Sequence, residues 1–500
     1  MDSHPALRAS TGIPGLDDIL DGGLPREHLY VVQGAPGTGK TTIGLQFLMA
    51  GREQGERCLY ITLSETAAEL RGSSRSHGWN LDGLEIHEVL PGEEPAAETE
   101  NTLFHPSEIE LSETTNAILG TIERVNPSRL VIDSLSEIRL LSQSPLRYRR
   151  QILELKQFLE SRRCTTLFLD EVSPEDHDVH LQTISHGVVR LEQLAPEYGA
   201  ERRRLRILKL RGLRFRGGYH DFKIETGGLD VFPRLIAAEH MPSERPGVVS
   251  SGLPGLDSLL GGGIDRGTTT LVMGPAGTGK SILVAQYASA AASRGEHVVM
   301  LTFDEGLGTF VARTEALGLP IRRQIEEGTI RVRQIDPAEL SPGEFTHIVR
   351  GAVERDDARM IVIDSLSGYF NAMPEERLLT VQLHELFTYL RQHGVAVLIT
   401  LPQHGFVGPN VDTPIEVSYL ADTVVLLRYF ETGGQIHKAI SVVKKRSGLH
   451  ETTIRELGMD GAGLRVGPAL QGFHGVLSGT PVFAGDGLAL MGARDGRASS

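Results

Sequence analysis

Two stretches of the chain hold glycines, a lysine and a hydroxyl residue at the spacing that phosphate binding requires. Gly34–Thr41 reads GAPGTGKT and Gly274–Ser281 reads GPAGTGKS. Both satisfy G-x-x-x-x-G-K-[ST]. Gly34, Gly37 and Gly39, with Thr38 between, let backbone N–H groups converge on phosphate oxygens, as do Gly274, Gly277, Thr278 and Gly279. The helix that follows adds the positive end of its dipole. Lys40 and Lys280 are expected to reach the β- and γ-phosphates. Thr41 and Ser281 are expected to place a hydroxyl on Mg²⁺, and Thr42 and Ile282 to close the contact in the first helical turn. The ligand this chemistry points to is ATP with Mg²⁺, bound twice.

Asp133 and Asp364 each end an apolar run, LVID and IVID. A carboxylate there is expected at the end of a buried strand beside the phosphate loop, as a second Mg²⁺ ligand. Hydrolysis also needs a group that orients or deprotonates water. Glu65 and Glu305 follow the strand next in sequence after each loop's helix and are the expected catalytic bases. The residue before each differs: Ser64 in the first half, Asp304 in the second. Asp304 therefore joins Glu305 as a catalytic candidate, and the first half has one carboxylate fewer at this position.

The elements that position these groups occur twice. TGIPGLDDILDGGLPR at Thr11 returns as SGLPGLDSLLGGGIDR at Ser251, 240 positions on, and both loops and ITLSE/LTFDE keep that offset. LVIDSLS at Leu130 returns as IVIDSLS at Ile361, and ILKLRG at Ile207 as VVKKRS at Val442. A repeat this long is a whole domain rather than a solenoid unit. Residues 1–241 and 248–485 are the expected domains, with 486–500 a short flexible tail. The linker MPSERPG spans Met241–Gly247. Within each half, short apolar runs such as Leu29–Gln33, Cys58–Leu63 and Thr165–Leu169 alternate with amphipathic stretches such as Arg147–Arg162. That alternation predicts an α/β fold of two tandem P-loop domains, each a mostly parallel sheet flanked by helices.

Composition sets bounds on function. The 500 residues carry a net charge of −14 and 5% aromatics, neither of which favours a nucleic-acid binder. Only the Arg-rich stretch Arg202–Arg216 points the other way. The two cysteines exclude a disulfide scaffold. No signal peptide or membrane span is read, so a cytoplasmic protein is expected. The 18 histidines suggest no metal site beyond the Mg²⁺ carried by ATP.

The doubled GLD preface, the GTGK[TS] loops, the IDS strands and the closing KLRG/KKRS stretches together resemble the KaiC family of circadian-clock ATPases, from Thr11 to about Gly485. The resemblance implies two tandem RecA-like P-loop domains, in a two-tiered homohexamer with ATP between subunits. It implies hydrolysis in the first domain, and autokinase activity on Ser and Thr in the second. It casts Lys209 and Arg211, and Lys444 and Arg446, as cations reaching the neighbour's ATP. It places a candidate phosphosite at Ser418, where VDTPIEVSYLADT carries Tyr419 in place of the family's threonine and Thr413 upstream. The tail shows no amphipathic helix for an activator, so regulatory partners are left open. A nucleic-acid motor and a non-catalytic ATP-gated scaffold are the alternatives; the retained Glu65 and Glu305 argue against the scaffold.

Overall fold

The computed structural model describes residues 8–89, 106–172, 179–196, 199–241, 246–336, 338–371, 378–403, 419–432, 434–476 and 482–483. Ser418, Thr413 and the 486–500 tail lie outside them.

Strongly apolar runs become strands buried on both faces, which is how parallel sheets read in sequence. In the first half the parallel strands are β1 (Leu29–Gly34), β2 (Cys58–Thr62), β3 (Glu85–Glu88), β4 (Arg129–Asp133), β5 (Thr165–Glu171) and β6 (Gly187–Leu194), of which the edge strand β3 is polar and half-exposed rather than such a run; β7 (Arg202–Leu210), β8 (His220–Glu225) and β9 (Gly228–Phe232) complete the sheet. Their order is β3-β2-β4-β5-β1-β6-β7-β8-β9. β3 through β6 pair in parallel and the rest antiparallel. The second half repeats the plan with β10 (Thr269–Gly274), β11 (His297–Thr302), β12 (Ile330–Gln334), β13 (Ala358–Asp364), β14 (Ala396–Pro402), β15 (Thr423–Thr432), β16 (Gln435–Lys445), β17 (Arg455–Asp460) and β18 (Gly463–Ala469). The order is again β12-β11-β13-β14-β10-β15-β16-β17-β18.

Helices cover both faces. α1 (Lys40–Glu53) packs one face of the first sheet, burying Ile43, Phe47 and Leu48. The opposite face holds α2 (Pro106–Val125), α3 (Leu135–Ser142) and α4 (Pro145–Ser161), the last burying Ile152, Leu155 and Leu159. The short α5 (Val179–Ile184) leads into β6, and α6 (Lys280–Ser293) and α7 (Leu379–Gln392) take the places of α1 and α4 in the second half.

One buried cation ties the first layers together. Arg129, at the start of β4, is fully buried. It donates to Glu56 at 2.9 and 3.1 Å, to Gln54 Oε1 at 3.1 Å, and to the carbonyls of Ser10 and Phe47 at 2.6 and 2.9 Å. By strand register Met360 occupies this position in the second half, also fully buried.

The chain divides into two compact units at Arg234–Leu235, earlier than the expected boundary at Met241. Leu235 and Ala237 are buried in the second unit's core, and the Ala237 N–H donates to Glu385 Oε2 at 3.0 Å. His240 lies edge-on to Tyr389. Proline and glycine mark the linker, but the apolar residues ahead of it have already docked on the following unit.

Candidate active site

Each phosphate loop joins the end of a central strand to the start of the helix on its face. Gly39 and Gly279 hold φ of 95° and 105° at the helix N-cap, a region open to glycine but strained for other residues. A Cβ on Gly34 would lie 2.5 Å from Thr38 Oγ1. The Lys40 ammonium donates to the carbonyls of Gly34 and Ala35 at 3.0 and 2.9 Å; Lys280 does the same to Gly274 and Pro275 at 2.9 and 2.8 Å. Burial pushes both ammonium pKa values down. Nearby carboxylates oppose this: Glu171, Asp133 and Asp170 at Lys40, but only Asp364 at Lys280.

Asp133 ends β4 beside the phosphate loop. Its Oδ2 accepts from Thr41 Oγ1 at 2.8 Å and from the buried Tyr60 hydroxyl at 2.6 Å. A hydroxyl and a carboxylate meeting beside the loop form a hard-oxygen set that suits Mg²⁺. Asp364 is held differently, by the hydroxyl of Thr400 on β14. Thr41 with Asp133 and Ser281 with Asp364 are the residues that would hold the metal. When bound with ATP it would neutralise triphosphate charge.

Glu65 follows β2, but β2 does not adjoin the loop strand: β4 and β5 lie between. The direct neighbour of β2 is β4, the strand that carries Asp133. The Leu63 N–H donates to the Asp133 carbonyl at 2.7 Å, and Thr62 Oγ1 fixes the Glu65 backbone at 2.7 and 3.0 Å. Desolvation raises the Glu65 carboxyl pKa, and the charges of Asp133 and Glu69 add to it. In the second unit Asp304 accepts from Ser365 Oγ at 2.7 Å and Glu305 pairs with Arg313 at 2.6 Å. Desolvation raises Glu305 too, Arg313 opposing and Asp364 reinforcing.

Lys209 and Arg211 do not face their own phosphate loop. Lys209 pairs with Val188 near the start of β6, which runs parallel to β1 from Tyr30, whereas the loop leaves β1 at Gly34. The two ends of the strand are about 13 Å apart at 3.3 Å per residue. Lys209 Nζ donates to the carbonyls of Gln182 and Ser185 at 2.7 and 2.8 Å, and Arg211 to that of Thr183 at 2.8 Å. Lys444 and Arg446 hold the carbonyls of Ala421 and Tyr419 at 2.7 and 3.0 Å. Arg446 also pairs with Asp422 at 3.5 Å.

The Arg-rich stretch is largely neutralised. Arg203 pairs with Glu201, Arg204 with Glu192 and Arg216 with Asp18, while Arg204 and Arg206 lie over the Tyr219 ring. Sequence reading missed a second polar group at the first site. Asp170 on β5, fully buried, accepts from Gln33 Nε2 at 3.0 Å and from Arg139 at 2.6 Å, and Gln182 donates to Gln33 at 3.1 Å. The signal was the polar end of TTLFLDE against ITLP in the repeat. Among the described residues, no helix is long and apolar enough to cross a membrane.

The profile of the family described as "ATPase: KaiC" matches residues 9–236 and again 249–471. The circadian clock oscillator protein KaiC of Prochlorococcus marinus is 28% identical over 490 residues, covering 94% of this chain and 95% of the relative. The protein of the same name from Synechococcus elongatus is 27% identical over 487 residues, covering 96% and 92%.

Proposed function

The chain belongs to the KaiC family of ATPases, and we propose that it works as a cytoplasmic homohexamer that binds Mg·ATP at both loops, between subunits. The first site hydrolyses ATP. The second transfers phosphate to its own Ser418, in a signalling or timing role of the kind named for its relatives.

The observation that carries this reading is the split of each site across the sheet. The phosphate loop, Asp133 and Glu65 gather at the C-terminal ends of the strands, and Lys209 and Arg211 sit at the opposite edge. In the ring proposed here, a neighbouring copy brings these cations to the γ-phosphate. There they stabilise charge that develops as the bond to ADP breaks. Lys40 binds the phosphates, Thr41 and Asp133 hold the metal, and Glu65, with its raised pKa, takes the proton of the attacking water. In the second unit Asp304 and Glu305 stand ready to accept a hydroxyl proton.

Subunit mixing tests the arrangement. Lys209→Ala and Lys40→Ala proteins, both also carrying Lys280→Ala, are each expected to be inactive in hydrolysis; mixed rings regain it, because an intact loop meets an intact cation across an interface. A mixture no more active than its parts refutes the trans role. Intact-mass measurement after incubation with ATP tests the kinase: a phosphate gained by the wild type and lost in Ser418→Ala supports it, and no added mass, or a site elsewhere, refutes it.

A further inference from the structure

Each site holds its carboxylates in a different place. In the second unit two stand side by side after β11, Asp304 and Glu305. In the first, Ser64 takes the place of Asp304, which leaves Glu65 alone at that position.

A second carboxylate enters the first site from another strand. Glu171 ends β5, the strand between the loop strand β1 and the metal-holding strand β4. It is the direct register partner of Gly34, whose carbonyl accepts from Lys40 Nζ at 3.0 Å. The next residue, Val172, donates its N–H to that same carbonyl at 3.3 Å. The Glu171 backbone is thus clamped to the first glycine of the loop while its side chain is exposed. Arg139 donates to the Glu171 carbonyl at 3.3 Å and to Asp170 Oδ1 at 2.6 Å, which fixes the strand end from the other side. Glu171 is also the foremost charge acting on Lys40. In the second unit the register partner of Gly274 is Pro402, followed by Gln403, and only Asp364 acts on Lys280. The polar cluster below Glu171 is absent there too: Met273 and Leu401 stand for Gln33 and Asp170.

We infer that Glu171 is a second catalytic carboxylate of the first site, holding the attacking water whose proton Glu65 takes. This rests on the first unit hydrolysing ATP. The water oxygen bonds to the γ-phosphorus as the bridging bond to ADP breaks and its electron pair leaves with ADP. The water proton passes to Glu65 and on to the departing phosphate, so neither glutamate is consumed. The two units then hold equal complements, Glu65 with Glu171 and Glu305 with Asp304. They differ in that one pair comes from two strands with β4 between them, and the other from a single turn.

Phosphate release by the full chain carrying Lys280→Ala tests this. Glu171→Gln is expected to lower kcat about 10²-fold, the lower end for such a group, while affinity for a fluorescent ATP analogue stays the same or rises. The Glu65→Gln/Glu171→Gln pair is expected to fall little below the weaker single variant, as groups that act as one unit do. A kcat within about twofold of the parent, with tighter ATP binding alone, means that Glu171 only neutralises Lys40 and overturns the inference. Because the side chain is exposed, a folded protein is expected, and unchanged Trp79 fluorescence verifies it. A Lys40→Ala control that abolishes release keeps the ATPase reading whatever Glu171 does; one that leaves release unchanged overturns both.

Discussion

Replacing Glu56 by glutamine leaves the most buried cation of the first unit without its anion. Burial by itself pushes the Glu56 carboxyl up. The hydrogen bonds and charges of Arg129 and Arg26 outweigh this and hold its pKa at about 2, against an ordinary 4.5. That gap corresponds to about 2–3 kcal/mol of folding free energy, allowing for the 13% of the side chain that faces water. Removing one partner of a buried pair costs a similar amount, about 3–5 kcal/mol. The depressed pKa fixes the sign: the contribution is fully present above pH 4.5 and is lost as pH falls through the folded value of about 2. The single tryptophan, Trp79, packs against the first unit's core, so its fluorescence follows that unit alone in the full chain. In urea at pH 7, Glu56→Gln is expected to move the Trp79 transition down by about 1 M, and the gap from wild type is expected to narrow below pH 4.5. A shift under about 0.3 M, or a gap that stays constant as pH falls to about 3, refutes the reasoning.

Three further outcomes concern the sites. Glu69→Gln keeps the Thr66 capping box, since glutamine serves at that position, and removes one of the charges that raise Glu65; the acid limb of first-site hydrolysis is expected to move to lower pH, and an unmoved limb counts against Glu65 as the base. Tyr60→Phe deletes the hydroxyl that holds Asp133 and is expected to weaken Mg²⁺ dependence of first-site turnover by about 10- to 100-fold. A Mg²⁺ titration in Lys280→Ala protein reads this, and the second site should respond to Thr400→Val instead. Glu65→Gln is expected to lower first-site kcat by about 10²- to 10⁴-fold with ATP binding retained, and Glu305→Gln to act on the second site alone; hydrolysis unaltered by either change removes both from the mechanism.

The sites were legible to different depths. Both loops read directly, because glycines, lysine and hydroxyl lie within eight consecutive residues and the loop and helix start form locally. Asp133 and Asp364 read almost as well, each closing an apolar run that has to be a buried strand. Glu65 was proposed from its place in sequence, and only the strand order shows that β4 is the neighbour of its strand. Tyr60, Thr400 and Glu171 escaped, since each acts through a strand far away in sequence, 73, 36 and 137 residues from its partner.

What the sequence alone determined is the doubling, the two phosphate loops and the alternation that makes each half an α/β unit. These depend on local spacing and on apolar period, which a chain carries before it folds. What only the tertiary structure decided is which side chains share a site. The sheet order brings β5 between the loop strand and β4, so Glu171 pairs in register with Gly34 and its charge acts on Lys40. The parallel run of β1 and β6 places Lys209 and Arg211 at the far edge, away from their own nucleotide loop. Strand pairing is non-local, and no spacing along the chain encodes it until the layers pack.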